Sequence, residues 1–260
     1  MKSDAFATAS CALTNQGNVR DHNEDACLDA GDRGFWVVAD GMGGHDFGDY
    51  ASQLIVERLG AVPELARPSE FVNRVEDELL DVNRHLYDKS MEGEQPSVIG
   101  STVVALLAFN RYCVAVWAGD SRMYRLRDGQ LSRITRDHSE VQNLVDQGLV
   151  KEEDAEQHPQ ANVITRAVGG ADTLYLDYTL HELSANDRFL LCSDGLYKDV
   201  TESEFCDELT HGDCREASES LLALALSREC NDNVTVVVVD FVQREIADAS
   251  TASVPGSIEG

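Results

Sequence analysis

The chain has 260 residues, 43% hydrophobic and 26% charged, with 47 acidic against 21 basic side chains and a formal net charge of −26. A chain of this length buries a sizeable core, and the balance is globular rather than disordered. The acidity excludes nucleic acid and anionic membrane surfaces as natural partners, because both would be repelled.

The opening segment, MKSDAFATASCALTNQG, has no apolar run behind a basic flank, and no segment approaches the ~20 apolar residues of a membrane span. A cytoplasmic protein is expected. The seven cysteines are odd in number, scattered and never spaced as CxxC, so reduced and mostly buried thiols are expected rather than disulfides or a zinc ribbon. With no internal repeat and no linker, a single domain is expected over residues 1–243, followed by a small, polar and aperiodic tail at 244–260 that reads as flexible.

In chain order, a polar segment GNVRDHNEDA (17–26) precedes an apolar strand at 35–39. Helical patterns follow at 49–59 and 69–87; in the second, Phe71, Val75, Leu79, Val82 and Leu86 form a stripe suited to packing on a sheet. Strands are predicted at 102–109 and 112–118, joined tightly at Asn110-Arg111. Another at 123–127 turns through Asp128-Gly129, a pair that tolerates positive φ. Residues 137–170 are polar with short helical pieces, including 141–147, and read as a surface excursion of the kind that edges a site. A strand at 188–192, helices at 202–209 and 215–228, and a valine-rich strand at 234–242 complete the domain. Tight hairpins imply antiparallel pairing, and helices between the strands imply a layered α+β domain.

FWVVADG, CVAVWAGDS and FLLCSDG each end an apolar strand in an aspartate beside a glycine, and CNDNVTVVVV places another before a strand. Any one is most simply a turn residue, as Asp128-Gly129 is. Four of them, Asp40, Asp120, Asp194 and Asp232, can share one rim of neighbouring strands. Clustered carboxylates hold either protons or cations, and oxygen donors without cysteine or histidine suit Mg²⁺ or Mn²⁺ rather than zinc. Glu24 and Asp25 are a solvated loop or further acceptors at that rim. Arg20 offers a planar donor suited to phosphate oxygens.

GNVRDHNEDA, VVADGMGGH, GSTVVALL, AGDSRMYRLRDG, TRDHSEV, HPQANVITRAVGG, FLLCSDGLYKDV and NDNVTVVVV occur here in the order found in bacterial metal-dependent protein phosphatases of the type 2C (PPM) family, which the chain resembles from about residue 10 to 242. The resemblance implies a four-layer α-β-β-α sandwich of two mainly antiparallel sheets flanked by helices, with a two-metal Mn²⁺ or Mg²⁺ site at one end. It implies that Asp40 bridges both ions, that the Gly41 carbonyl meets one, and that Asp194 and Asp232 meet the other. Asp120 is similar to the residue that, with Asp194, holds a third ion in bacterial members. Glu24 and Asp25 match an acidic pair acting mainly through water, Arg20 matches the phosphate-binding arginine, and 137–170 matches the flap beside the substrate cleft. The catalytic set so implied is Arg20, Asp40 and Asp194. Met42 stands where animal-type members carry a histidine proposed to protonate the leaving group, and a thioether cannot donate a proton. His45 is as readily a surface residue as a substitute, so no general acid is assigned.

The activity implied is metal-dependent hydrolysis of phosphoserine and phosphothreonine on proteins by a monomeric phosphatase. Its partners would be phosphorylated proteins, among them a bacterial serine/threonine kinase and that kinase's substrates, with type VI secretion as a further link that the resemblance allows. No C-x5-R loop surrounds any cysteine, so a covalent cysteine mechanism is not expected. An inactive phosphatase-like module that binds phosphoproteins is the alternative, disfavoured because the ligand positions are complete. A calcium-binding reading fails for want of an EF-hand loop.

Overall fold

The computed structural model describes residues 5–43, 47–92 and 98–244. His45 and the tail after residue 244 lie outside the described residues. In chain order the elements are β1 (Phe6–Asn15), β2 (Asp25–Ala30), β3 (Phe35–Gly43), α1 (Gly48–Gly60), α2 (Pro68–Ser90), β4 (Ile99–Ser101), β5 (Val103–Phe109), β6 (Tyr112–Ala118), β7 (Arg122–Arg127), β8 (Gln130–Arg133), α3 (Glu140–Asp146), a 3-10 turn (Glu152–Gln157), β9 (Asp177–Glu182), β10 (Asp187–Cys192), α4 (Asp194–Tyr197), α5 (Glu202–Thr210), α6 (Cys214–Leu226) and β11 (Val234–Gln243).

The strands form two antiparallel sheets, ordered β1-β11-β10-β7-β8 and β2-β3-β5-β6-β9, with β4 continuing beside β3. Alternation along each central strand sorts its side chains between two apolar layers. On β3, Phe35, Val37 and Ala39 face α1 and α2, where the predicted stripe of Phe71, Val75, Leu79, Val82 and Leu86 is buried against them. Trp36 and Val38 point the other way, into a layer between the sheets shared with Phe189, Leu191, Val237, Val239 and Phe241. On β11, Val234, Val236 and Val238 face α5 and α6, packing on Phe205, Leu209, Ala217 and Leu221. Strands covered on both faces read as unbroken apolar runs, which is why β3, β5 and β11 stand out in the sequence. The result is the expected four-layer sandwich. Its middle is pinned by Trp36 edge-on to Phe241, with ring centroids 5.9 Å apart.

Local chemistry agrees with these ends. Asp128 (φ 52°) and Gly129 (φ 73°) make the predicted tight turn, with Arg127 paired to Gln130 across it. Thr201 with Glu204, and Asp213 with Glu216, close reciprocal capping boxes at the starts of α5 and α6. All seven cysteines are free thiols, five of them buried. Among the described residues no helix is long and apolar enough to cross a membrane.

β1, β2 and β9 carry no clear strand signal, and each is the edge of its sheet. Edge strands need little apolar alternation, because one side of the ladder is solvated and the neighbour supplies the register. β1 is aligned with β11 over its whole length, from Phe6 opposite Gln243 to Asn15 opposite Val234. The surface reading of residues 137–170 holds only for the middle of that segment. Its ends are core: Asp137, His138, Ser139 and Val141 are buried at one end and Ala167 and Val168 at the other, where Val168 bridges to Ser101.

Candidate metal centre

The alternation that builds the core also delivers carboxylates to one end of it. Asp40 follows Trp36 and Val38 on the inter-sheet face of β3, and Asp25 of β2 lies directly opposite it. Sequence reasoning placed Asp40 at the end of a strand; β3 instead continues to Gly43 but changes partner there. Pairing with β5 stops at Val38, and pairing with β4 begins at Gly41. Thr102 sits at the break, its N–H donating to the Asp40 carbonyl (2.8 Å) while its Oγ1 accepts from the Asp40 N–H (3.1 Å). Gly41 is required by close approach: a Cβ there would fall 2.0 Å from the carbonyl oxygen of Gly48.

The other aspartates arrive from neighbouring strand ends. Asp120 follows Gly119, whose φ of 112° and contact with Thr102 leave no room for a side chain. Asp194 opens α4 just after β10, and Asp232 precedes β11. Asp25 is buried, and its Oδ2 accepts from Ser193 Oγ (2.6 Å) and Thr235 Oγ1 (2.7 Å). Its Oδ1, like Oδ1 of Asp194, is buried without a hydrogen-bond partner.

Burial and mutual repulsion raise the proton affinity of Asp25, Asp40 and Asp120. Desolvation, then the charges of Asp25, Asp194, Asp120 and Asp232, pushes Asp40 well above the usual carboxylate range. Asp25 is pushed up to about 7 by burial and by Asp194 and Asp232, against the hydroxyls that favour its charged form. Asp120 is pushed up to about 7 by burial, Asp194 and Asp137, with Lys198 opposing.

Two cations of the chain are seated on this cluster. Arg20 Nη2 pairs with Asp232 Oδ2 at 2.8 Å, and Lys198 Nζ pairs with Asp194 Oδ2. Among the described residues no three acidic, histidine or cysteine side chains are closed into a ready cage. The donors nonetheless fit hard divalent ions: they are all oxygens, and two are buried acceptors lacking any donor.

Arg20, Glu24, Asp40, Gly41, Asp194 and Asp232 line an open cavity of about 310 Å³, together with Met42, Lys198, Asn162 and Ile164. Asp25 and Asp120 are not in its wall. They lie buried behind it, where their charges bear on Asp40. Asn162 and Ile164 come from the 137–170 excursion, which therefore borders the cavity.

The profile of the family described as Protein phosphatase 2C matches residues 16–226. The chain belongs to this family. The serine/threonine protein phosphatase PstP of Mycobacterium tuberculosis is 37% identical over 231 residues, covering 89% of this chain and 44% of that protein, so the chain spans less than half of that relative. Among solved structures, PppA, described as a key regulatory component of T6SS in Pseudomonas aeruginosa, is 42% identical with a TM-score of 0.84, covering 91% of this chain and 99% of that one. The catalytic domain of PstP in complex with two manganese ions is 33% identical with a TM-score of 0.83, covering 92% of this chain and all of that one.

Within this protein phosphatase 2C fold, several site residues escaped the sequence reading. Asn233 accepts from the Glu24 N–H (2.8 Å) and donates to the carbonyls of Gln16 (3.0 Å) and His22 (2.9 Å), tying the Arg20 loop to β11. Thr235 was legible as a hydroxyl on the inter-sheet face of a valine strand. Lys198 was legible from its i, i+4 spacing to Asp194. Arg122 was less so: it pairs with Asp137 (2.7 Å) and Glu156 (2.6 Å) while lying 3.5 Å over the Tyr197 ring, linking the excursion to α4.

Proposed function

We propose that this chain hydrolyses phosphoserine and phosphothreonine on proteins at a binuclear Mn²⁺ or Mg²⁺ centre. The observation that carries the reading is the convergence of five acidic side chains, Asp25, Asp40, Asp120, Asp194 and Asp232, on one end of the inter-sheet core with buried oxygens left unpartnered. Asp40, the Gly41 carbonyl, Asp194 and Asp232 would hold them. Asp120 with Asp194 would hold a third, and Glu24 in the cavity wall and Asp25 behind it would act mainly through water. Bound divalent ions supply the positive charge absent from this end of an acidic chain, raise the acidity of water to make a nucleophile, and neutralise phosphoryl oxygens.

The chain's own groups do the rest. Arg20, half exposed at the cavity wall and planar, binds phosphate oxygens once its guanidinium turns from Asp232. Met42 lines the cavity but carries no proton, so the leaving serine or threonine oxygen is not protonated from that position. Cys192 is fully buried at the end of β10 with its thiol pushed up to about 12 by burial, which supports direct attack by water rather than a thiophosphate intermediate. Residues 137–170 act as the flap: Asn162 and Ile164 present its edge to the substrate.

The domain occupies 1–243 and works as a cytoplasmic monomer opposing a serine/threonine kinase. The likeness to PppA supports a connection with T6SS. Hydrolysis of an aryl phosphate and of a phosphothreonine peptide tests the reading. Activity with Mn²⁺, loss in chelator and loss in Asp194→Ala are expected. Full activity in chelator or in that variant overturns the two-metal mechanism, and no hydrolysis of either substrate makes the chain a phosphoprotein-binding module. Phosphoproteomics of a deletion strain tests the kinase and secretion links.

A further inference from the structure

Lys198 is one of four lysines in the chain, and it lies in the wall of the candidate metal centre. Its backbone N–H donates to the Asp194 carbonyl at 3.0 Å, so it stands one helical turn beyond that aspartate on the same face. Its ammonium is seated on Asp194 Oδ2, while Oδ1 of the same carboxylate is buried with no partner. The field of the ammonium also reaches buried Asp120, opposing the repulsion from Asp194 and Asp137. Asp194 is thus half satisfied by a cation that the chain itself supplies.

We propose that Lys198 is a resident counter-ion that competes with the divalent ion for Asp194, so that metal loading moves its ammonium off that carboxylate. The inference rests on the reading of Asp194 as a ligand. A +1 charge held within a few ångströms of a +2 ion repels it strongly in a partly desolvated site. Lys198 thereby sets the metal affinity of the centre below what its carboxylates alone would give, while offsetting part of their charge when no ion is bound. A merely structural lysine makes the opposite forecast, because its removal would loosen α4 and weaken binding.

The test is Mn²⁺ affinity of the full chain by titration calorimetry for the wild type, Lys198→Met and Lys198→Arg. Tightening of roughly tenfold or more in Lys198→Met is expected from loss of the competing charge, with Lys198→Arg near the wild type. A second measurement needs no variant: reductive methylation of wild-type lysines read by mass spectrometry, with exposed Lys151 as internal reference. Lys198 should be protected without metal and become reactive with Mn²⁺. Unchanged or weaker affinity in Lys198→Met, or equal modification of Lys198 with and without Mn²⁺, overturns the inference alone. Absence of Mn²⁺ binding by the wild type overturns it together with the proposed function.

Discussion

The two ends of the inter-sheet core treat their carboxylates in opposite ways. At the end where β10 begins, buried Asp187 accepts from Arg127 Nε and Nη2, both at 2.6 Å, and from the Ser184 N–H at 2.8 Å. On the opposite, helix-covered face of the same strand ends, Asp240 is clasped by Arg188 at 2.5 and 2.9 Å, and Arg188 also donates to the Leu209 carbonyl of α5. At the end where β10 finishes, five aspartates share Arg20 and Lys198, and two buried oxygens find no donor. The same strands carry both arrangements. One end uses matched forks to stay shut, and the other holds unbalanced negative charge that an ion can neutralise.

Substitutions at the two ends should therefore differ in sign, not only in size. The largest effect expected is on turnover: Asp40→Asn should lower aryl phosphate hydrolysis by about 10³-fold, the scale for losing a preorganised electrostatic group, measured as kcat/KM at saturating Mn²⁺. Loss of less than tenfold would remove Asp40 from the centre. Next, Asp187→Ala should destabilise the protein by about 2–4 kcal/mol, because it strips Arg127 of its carboxylate, leaving only the Glu182 carbonyl as acceptor, and leaves the Ser184 N–H without its acceptor. Urea unfolding gives the number, and an unchanged midpoint would end the matched-fork account.

Asp40→Asn should do the reverse in metal-free protein, stabilising it by about 1–3 kcal/mol, since a neutral amide replaces a buried carboxylate among like charges. A lowered thermal midpoint in chelator would show that Asp40 is satisfied in a way the geometry does not reveal.

The smallest effect is a pH trend. Asp25 and Asp120 titrate at about 7 in the folded protein and near ~3.9 in an unfolded chain. Between those values the native state holds more protons than the unfolded one, so stability is gained as pH falls through 7 and lost as it rises. Metal-free protein should gain on the order of 1–2 kcal/mol from pH 8 to pH 6, and saturating Mn²⁺ should remove the gain. A flat metal-free profile would mean that the carboxylates are already neutralised.

The central elements were legible because their causes are local. β3, β5 and β11 are covered on both faces and show it as apolar runs, and α2 shows its buried stripe at helical spacing. The edge strands β1, β2 and β9 were not legible, because a strand with one solvated edge takes its register from its neighbour. Asp40, Asp194 and Asp232 could be picked out by their places at the limits of such runs. The depth of Asp25 could not, since it depends on Ser193 and Thr235, which are 168 and 210 residues away.

By itself the sequence determined which strands are central, which helices accompany them, and that its aspartates stand at the limits of apolar runs. Those are consequences of apolar periodicity and of turn chemistry acting over a few residues. Only the tertiary structure decided which oxygens are buried and unpartnered, that Asp25 and Asp120 lie behind the cavity rather than in it, and that Lys198 and Arg20 occupy the carboxylates facing it. Desolvation and Coulomb forces depend on distances between strands far apart in the chain, and folding fixes those distances.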